Sequence, residues 1–253
     1  MAKVNNFPSS SLTGAGHSRS ALLIALALTS SLFGQSADAP LPEEAAGLEN
    51  IVPVLMAVFD RADVVALGED HLRRIDSDLR IALVRHPDFP QKVRFIMVEF
   101  GSGLHQATLD RYVGGEDVSP EELRQVWATT TTGMWDSPIY ADFFAAVREV
   151  NAKLPPETRI RVLAGDPGKG VKVPRDTWAV STLGRQVLAK GEKALLICGS
   201  ARVFRPVGDR YPLPGGAGGI TKLLEDHPGR SFVVVTLGAC PSIVSEASIR
   251  EQN

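Results

Sequence analysis

Charged side chains follow four predicted strands, at the point where each strand ends. The run VVALGEDH (64–71) presents Glu69 and His71, the next strand ends in Glu99, and the two after it lead into Asp166 and Arg202. A neutral histidine accepts a proton from water or a hydroxyl, and a carboxylate on its other ring nitrogen fixes the tautomer. We therefore predict His71 as a general base, Glu69 as its orienting partner and Glu99 as a second acid or base.

The same side chains also offer ligands to a metal ion. Histidine nitrogen and carboxylate oxygen suit zinc or manganese, so His71 and Glu99 are candidate metal ligands. Because Glu99 closes an apolar strand, burial is expected to raise its pKa. Each residue taken alone is equally compatible with an ordinary solvated strand end. Their shared position at strand ends is what favours a site.

Basic residues gather in the same predicted loops. Arg73 and Arg74 follow His71 closely, and Arg202 follows the fourth strand. Arginine binds carboxylate and phosphate groups well. These arginines, with Asp166 supporting the rim, are therefore predicted to bind a small anionic substrate or ligand. Acidic residues nearby leave a balanced, solvated rim as the alternative.

Apolar, β-rich runs alternate with helical patterns from residue 63 onward. Strands are predicted over 64–67, 94–99, 159–164, 193–198 and 231–237, and helices over 77–85, 103–113, 119–127, 138–152, 177–190 and 220–226. Strands this continuously hydrophobic are typical of a parallel sheet buried on both faces. The alternation predicts an α/β fold, a mainly parallel open sheet of about five strands with helices on both faces. Ligands in such sheets bind beyond the carboxyl ends of the strands.

The first 39 residues have the order of a secretory signal. A weakly basic stretch precedes the apolar run ALLIALALTSSLF (21–33), and ADA (37–39) offers a small-residue cleavage zone. This order predicts export to the periplasm or the cell exterior, with no transmembrane span after processing. An uncleaved anchor or a buried helix is the alternative. The rest divides into a linker and first helix (40–62), an α/β domain (63–240) and a tail (241–253) in which the domain is expected to be cut short.

The composition gives no support for two classes of partner. Over 253 residues the formal net charge is −2, which gives no electrostatic basis for binding nucleic acid or an anionic membrane surface. Cys198 and Cys240 are compatible with a disulfide in an exported protein and also with free buried thiols.

In their order, the motifs resemble those of a superfamily that joins erythromycin esterase-like hydrolases, ChaN-like haem-uptake lipoproteins and the Tiki/TraB proteins. GEDH (68–71) is similar to its first motif, FIMVEF (95–100) to the strand that carries its glutamate, and ALLICGSAR (194–202) to the strand before its second G-x-x-H. The segments HQATLDRYVGGEDVSPEELRQVW (105–127) and WDSPIYADFFAAVREVN (135–151) are most similar to the ChaN-like branch. The similarity covers most of residues 64–237.

The resemblance implies a hydrolase of ester- or amide-type substrates or, as in the ChaN-like branch, a haem- or iron-binding protein. Where the family pattern has its second histidine, this chain has Arg202, which removes a nitrogen ligand and repels a divalent metal. Three interpretations follow. The first and leading one is metal-free hydrolysis by His71 and Glu99, with Arg202 facing a substrate anion. The second is binding of haem or another anionic ligand, with His71 or Tyr112 near the iron. The third is a catalytically inactive member.

Overall fold

Five parallel strands form one sheet in the computed structural model, which describes residues 47–203, 219–227 and 230–235. The strands are β1 (Val64–Glu69), β2 (Phe95–Ser102), β3 (Arg161–Asp166), β4 (Ala194–Gly199) and β5 (Ser231–Val235). Their order across the sheet is β3-β2-β4-β1-β5, and every neighbouring pair is parallel. The predicted α/β fold with a parallel sheet of about five strands is confirmed.

Helices connect the strands. Within the described residues they are α1 (Leu48–Val58), α2 (Arg74–Arg85), α3 (Phe89–Lys92), α4 (Gln106–Gly114), α5 (Pro120–Ala128), α6 (Pro138–Asn151), α7 (Arg175–Gln186) and α8 (Gly219–Asp226). The start of α5 shows how local sequence sets a boundary. The Ser119 hydroxyl accepts the Glu122 N–H at 3.1 Å, and Pro120 occupies the first turn. The sequence does not predict α3, because a single turn is too short to show helical periodicity.

Both faces of the sheet are covered by helices. Val65 and Ile96 belong to one core, which the sheet shares with α1, α2, α4, α5 and α6. Ala66 and Met97, one position further along the same strands, belong to the other core, against α7 and α8. Successive strand residues face opposite sides of a sheet. Strands that feed two cores must therefore be apolar at every position, which explains their unbroken hydrophobic runs.

The strand order determines which loops meet at the carboxyl edge of the sheet. Because β4 lies between β1 and β2, the residues that follow these three strands are neighbours, and β3 adjoins β2. Gly68 in β1 permits this close approach, since a Cβ there would stand 2.9 Å from the Ser200 Cα. The edge is therefore assembled from residues far apart in sequence.

Several predictions concern residues outside the described ranges. The predicted signal segment (1–39), Cys240 and the tail (241–253) lie there. Cys198 is buried, and burial raises the pKa of its thiol. No helix in the described ranges has the length and apolar character needed to cross a bilayer.

Candidate functional site at the carboxyl edge of the sheet

Glu99 of β2 is the carboxylate at which three segments of the chain meet. Its Oε1 accepts hydrogen bonds from Arg175 of α7 at 2.5 Å and from Arg202 at 2.7 Å, and its Oε2 accepts the Gly199 N–H at 2.6 Å. The Glu99 side chain is 4% exposed. Burial alone would raise its pKa, but the charges of Arg202 and Arg175 and the Gly199 N–H outweigh burial and lower it.

The expectation of a raised pKa at Glu99 is therefore wrong. The apolar strand correctly indicates burial. The two guanidinium groups, however, come from α7 and from the turn after β4, which lie 76 and 103 residues away in sequence. An ionised Glu99 has no proton to donate at neutral pH, and both its oxygens already accept hydrogen bonds. This geometry suits an electrostatic anchor better than an acid or base.

His71 is held by a second carboxylate. Its Nδ1 lies 3.1 Å from Glu69 Oε1, and Glu69 Oε2 accepts a hydrogen bond from Arg80 of α2. Arg80 is 1% exposed, and its guanidinium carbon lies 4.9 Å from the centre of the Phe100 ring. A carboxylate at Nδ1 favours the tautomer with its proton there and a lone pair on Nε2. The structure thus brings Glu69 and His71 together, as the sequence predicts.

Two neighbours restrict the imidazole of His71. The Trp135 indole packs edge-on, with ring centroids 4.3 Å apart. The ring also lies close to Gly199, where a Cβ would stand 2.8 Å from His71 Cε1, 2.9 Å from Nε2 and 3.5 Å from Glu99 Oε2. His71 and Glu99 therefore converge on the same glycine. The Nε2 atom has no hydrogen-bond partner among the described residues, and the side chain is 29% exposed.

Asp166, at the end of β3, is fully buried. Its Oδ1 accepts the N–H and hydroxyl of Thr131 and the N–H of Gly168, each at 2.8 Å. Its Oδ2 accepts a hydrogen bond from Arg175 Nε, also at 2.8 Å. Asp166 therefore positions Arg175 and the neighbouring loops. The structure does not support its predicted place in substrate binding, because no part of the carboxylate reaches the surface.

Arg202 lies next to Glu99, where the sequence predicts a residue facing a substrate anion. Its guanidinium instead pairs with two carboxylates of the chain itself, those of Glu99 and of Asp176 in α7. A guanidinium with both ends in ion pairs has little charge left to attract a ligand. Arg202 therefore completes the anchor around Glu99.

Arg73 and Arg74 lie where β1 leads into α2. Arg74 pairs with Asp78 at 2.9 Å on an exposed helical turn, and its side chain is 65% exposed. In Arg73, Nη1 is buried and has no hydrogen-bond partner among the described residues. Both arginines are close in sequence to His71, and their predicted contact with a ligand stays a prediction.

The predicted metal ligands His71 and Glu99 do not fit a divalent cation. Such an ion would have to bind a carboxylate whose Oε1 already contacts two guanidinium groups, at 2.5 and 2.7 Å, against their repulsion. No group of three or more histidine, cysteine, aspartate or glutamate side chains is arranged to hold a metal ion within the described ranges.

Tyr112, the other side chain considered near a haem iron, lies at the opposite edge. Tyr112 lies in the last turn of α4, and the next residue of that helix, Val113, accepts a hydrogen bond from Asn151. Asn151 also bonds the main chain of Ile160, at the amino-terminal end of β3. Because α4 runs back along the sheet, Tyr112 is remote from His71, and that expectation is wrong.

Four exposed apolar side chains lie in the segments that form the carboxyl edge of the sheet. We call them the apolar rim: Leu72, Leu104, Met134 and Val173, which are 54%, 54%, 50% and 38% exposed. Leu72 follows His71, and Met134 precedes Trp135. Leu104 packs over Gly168, next to Asp166, and Val173 lies two residues before Arg175. Leu72 also has a φ of 68°, a left-handed conformation that costs a non-glycine residue about 1 kcal/mol.

Three side chains that shape this site, Arg80, Arg175 and Trp135, are not among the predicted site residues. Arg80 and Arg175 lie on helices, where an arginine ordinarily marks the solvent face, so no local signal separates them from surface residues. Trp135 lies in a segment used for the family resemblance, and that was the available signal. Gly199 is the glycine of the GSAR motif, and a Cβ at this position would overlap the imidazole of His71.

No protein-family model matches the sequence, and no curated protein is significantly similar to it. A solved structure described as cofacial heme binding to ChaN of Campylobacter jejuni matches at 14% identity with a TM-score of 0.41. The match covers 74% of this chain and 84% of the ChaN chain. A likeness this distant says nothing about ligand or activity. The wider superfamily assignment from the motifs stays a prediction.

The contact between His71 and Gly199 predicts the effect of one added methyl group. Gly199→Ala should displace the imidazole, because the new Cβ would overlap Cε1 and Nε2. The backbone of Gly199 (φ −55°, ψ 138°) is accessible to alanine, so the effect is steric. The histidine C2–H proton resonance of His71 in NMR spectra should shift. Gly184→Ala is the matched control, since its Cβ would meet nothing within 4 Å. An unmoved His71 resonance in Gly199→Ala would contradict this packing.

The lowered pKa of Glu99 predicts a pH-dependent loss of stability. Glu99→Gln leaves two arginines without their shared carboxylate and should lower the free energy of unfolding by about 3 kcal/mol at pH 7. A carboxylate whose pKa is lower in the folded than in the unfolded chain contributes its full stabilisation above the unfolded-state pKa, about 4.3. That stabilisation is lost as the pH falls through the folded-state pKa. The difference between wild type and variant in urea unfolding should therefore shrink below about pH 4. Glu149→Gln, which breaks only an exposed pair with Arg85, should change stability little at either pH. A Glu99→Gln loss independent of pH would refute the assignment.

Proposed function

We propose that this chain binds a planar, partly apolar ligand with carboxylate groups, haem in particular, at the carboxyl edge of the sheet, with His71 as the iron ligand. One observation carries the proposal. Glu69 engages Nδ1 of His71 at 3.1 Å, while Nε2 has no hydrogen-bond partner among the described residues. A histidine whose second nitrogen is bonded to a carboxylate is oriented and made more basic as a ligand. Haem iron needs only such an axial ligand from the protein, because the porphyrin supplies the other donors.

The apolar rim supports a ligand with large apolar faces. Four of the seven large apolar side chains that are exposed in the described ranges belong to it. Leu72, next to His71, is exposed and has a strained backbone conformation, which raises the free energy of the unliganded chain. Contact with an apolar ligand would offset part of that free energy. Two of the four lie next to the imidazole, since Leu72 follows His71 and Met134 precedes Trp135, whose indole packs on His71.

Cations near the rim suit the carboxylates of such a ligand. Lys169 and Lys172 are exposed in the loop between β3 and α7, which also carries Val173. Arg73 and Arg74 lie beside His71, on another segment of the edge. Haem propionates are carboxylates, which arginine and lysine bind at exposed sites. Bound iron would supply ligand binding or electron transfer, and the residues of this chain would hold and orient it.

Hydrolysis is the second candidate, and the pairing of Glu69 with His71 favours it. A histidine oriented by a carboxylate, itself held by Arg80, is the arrangement of a general base. The site offers fewer of the other groups that hydrolysis needs, an acid and a free donor for the oxyanion. Glu99 is held ionised, and Arg175 and Arg202 are paired with carboxylates. Neither arginine is thus a free donor for a developing oxyanion. The expected export of the chain fits either function and stays a prediction.

A hemin titration tests the proposal. Wild-type protein should shift the Soret band of hemin at a stoichiometric end point, and His71→Ala should weaken the apparent affinity at least about tenfold, since it removes the proposed iron ligand. His86→Ala is the matched control. His86 caps α2 and accepts the Asp88 N–H at 3.2 Å, away from the site, so the titration should be unchanged. Identical spectra and affinities for wild type and His71→Ala would refute the iron-ligand assignment.

A panel of chromogenic esters and amides separates the two candidates. With no hemin added, the haem-binding account expects no turnover that depends on His71. Turnover that is lost in His71→Ala and reduced in Glu69→Gln, but retained in His86→Ala, would replace the binding proposal with hydrolysis.

A further inference from the structure

A second concave surface lies at the amino-terminal edge of the sheet, away from His71. It is a cleft of about 330 Å³ between the starts of β2 and β3 and the ends of α4 and α6. Phe95 and Arg161, the first residues of β2 and β3, lie on its wall with Gly114 of α4 and Asn151 of α6. Its volume is at the lower end of the range for small-molecule sites.

Four of the side chains that line this cleft are basic, Arg94, Arg159, Arg161 and Lys190, and one, Asp110, is acidic. Asp110 is matched with Arg161, through contacts of 3.1 Å to Nε and 2.9 Å to Nη2. That pair cancels locally. Once this pair is set aside, three cations remain in the wall of the cleft, Arg94, Arg159 and Lys190.

The remaining cations have no close carboxylate among the described residues. Arg159 donates to two neutral carbonyl oxygens, that of Gly114 at 2.8 Å and that of Leu154 at 3.4 Å. Arg94 reaches Glu192 only at 4.0 Å, and its side chain is 44% exposed. Lys190 is exposed and makes no ion pair with a described residue.

The carbonyl ends of helices explain part of this charge. The bond of Arg159 to Gly114 caps the end of α4, where a cation is favoured by the helix dipole. The bonds of Arg159 to Gly114 and Leu154 use two of the five N–H groups of its guanidinium. Within the described residues, the side chains of Arg94 and Lys190 make no hydrogen bond to a helix end, so their donors are available to a ligand. Unmatched guanidinium and ammonium groups around a polar recess are the chemistry that recognises phosphate.

We propose that this cleft binds a small phosphate-bearing anion, independently of the site at the carboxyl edge. Arg94, Arg159 and Lys190 would donate to phosphate oxygens, while the Asp110–Arg161 pair forms part of the wall. A diphosphate suits three separate donors better than a single monoanion does. Recognition by exposed cations also makes the affinity sensitive to salt.

Inorganic pyrophosphate is the probe for this cleft, in isothermal titration of the full chain at low ionic strength. Saturable binding at one site per chain is expected, and Arg94→Gln/Lys190→Gln should weaken it at least about tenfold, since two charge-assisted contacts are lost. Neither residue makes a close ion pair among the described residues, so the thermal midpoint should be preserved. Arg124→Gln/Lys222→Gln removes the same charges from α5 and α8, away from the cleft, and should bind as wild type does.

Two results would overturn the proposal. One is no detectable pyrophosphate binding to wild type, and the other is equal affinity for the cleft variant and its control. Sedimentation with phosphatidylglycerol vesicles separates the sources of phosphate, since vesicle binding without pyrophosphate binding would assign the cations to a lipid surface instead. Hemin binding should be unchanged in Arg94→Gln/Lys190→Gln, so the failure of one site is distinguishable from the failure of the other.

Discussion

The ionised carboxylate of Glu99 is the constraint on which the carboxyl edge depends. It stands at the end of β2 and bonds the start of α7 through Arg175, the turn after β4 through Arg202, and β4 itself through the Gly199 N–H. A carboxylate buried without these partners would cost several kcal/mol. The three segments must therefore close around it together. Gly199 lies between this carboxylate and the imidazole of His71, so the Glu99 network and the imidazole meet at the same glycine.

A second network, of Glu69 and Arg80, acts on the other side of His71. Arg80 is buried among the rings of Phe100, Tyr140 and Phe143, which satisfy part of its charge through their faces. Its remaining charge is matched by Glu69, and Glu69 in turn holds the imidazole. The two networks fix one nitrogen of His71 and leave the other without a protein partner in the described ranges. The edge is built to present a single nitrogen among apolar side chains, which suits ligand binding more than multistep acid–base chemistry.

The sequence predicts the sheet well because the signal is local. Continuous apolar runs such as Val64–Leu67 are strands, and residues just beyond them, Glu69 and His71 among them, must lie at the carboxyl edge of a parallel sheet. The neighbour relations are not local. The residues of β4 carry no signal that this strand lies between β1 and β2, because the strand order depends on packing across the whole chain. The convergence of Glu99 with Arg202 follows from strand ends, whereas its contact with Arg175 of α7 does not.

The errors at the site have the same origin. A raised pKa for Glu99 and a free Arg202 both follow if each residue is considered with its own segment alone. Their mutual contact reverses both expectations, since each neutralises the other. Asp166 is similar, because its partners Thr131 and Arg175 precede and follow it in loops and helices with no distinguishing pattern. Burial can be predicted from a strand, but a charged partner 76 residues away cannot.

We propose that Nε2 of His71 binds the iron of a haem molecule, with the imidazole held in place by Glu69. Resonance Raman spectroscopy of the ferrous haem complex tests this most directly, in protein made with natural and with ¹⁵N-labelled histidine. We expect an iron–histidine stretching band that moves to lower frequency with the label, lies at lower frequency in Glu69→Gln and is absent in His71→Ala. Haem that binds without such a band, or with a band that persists in His71→Ala, would contradict it.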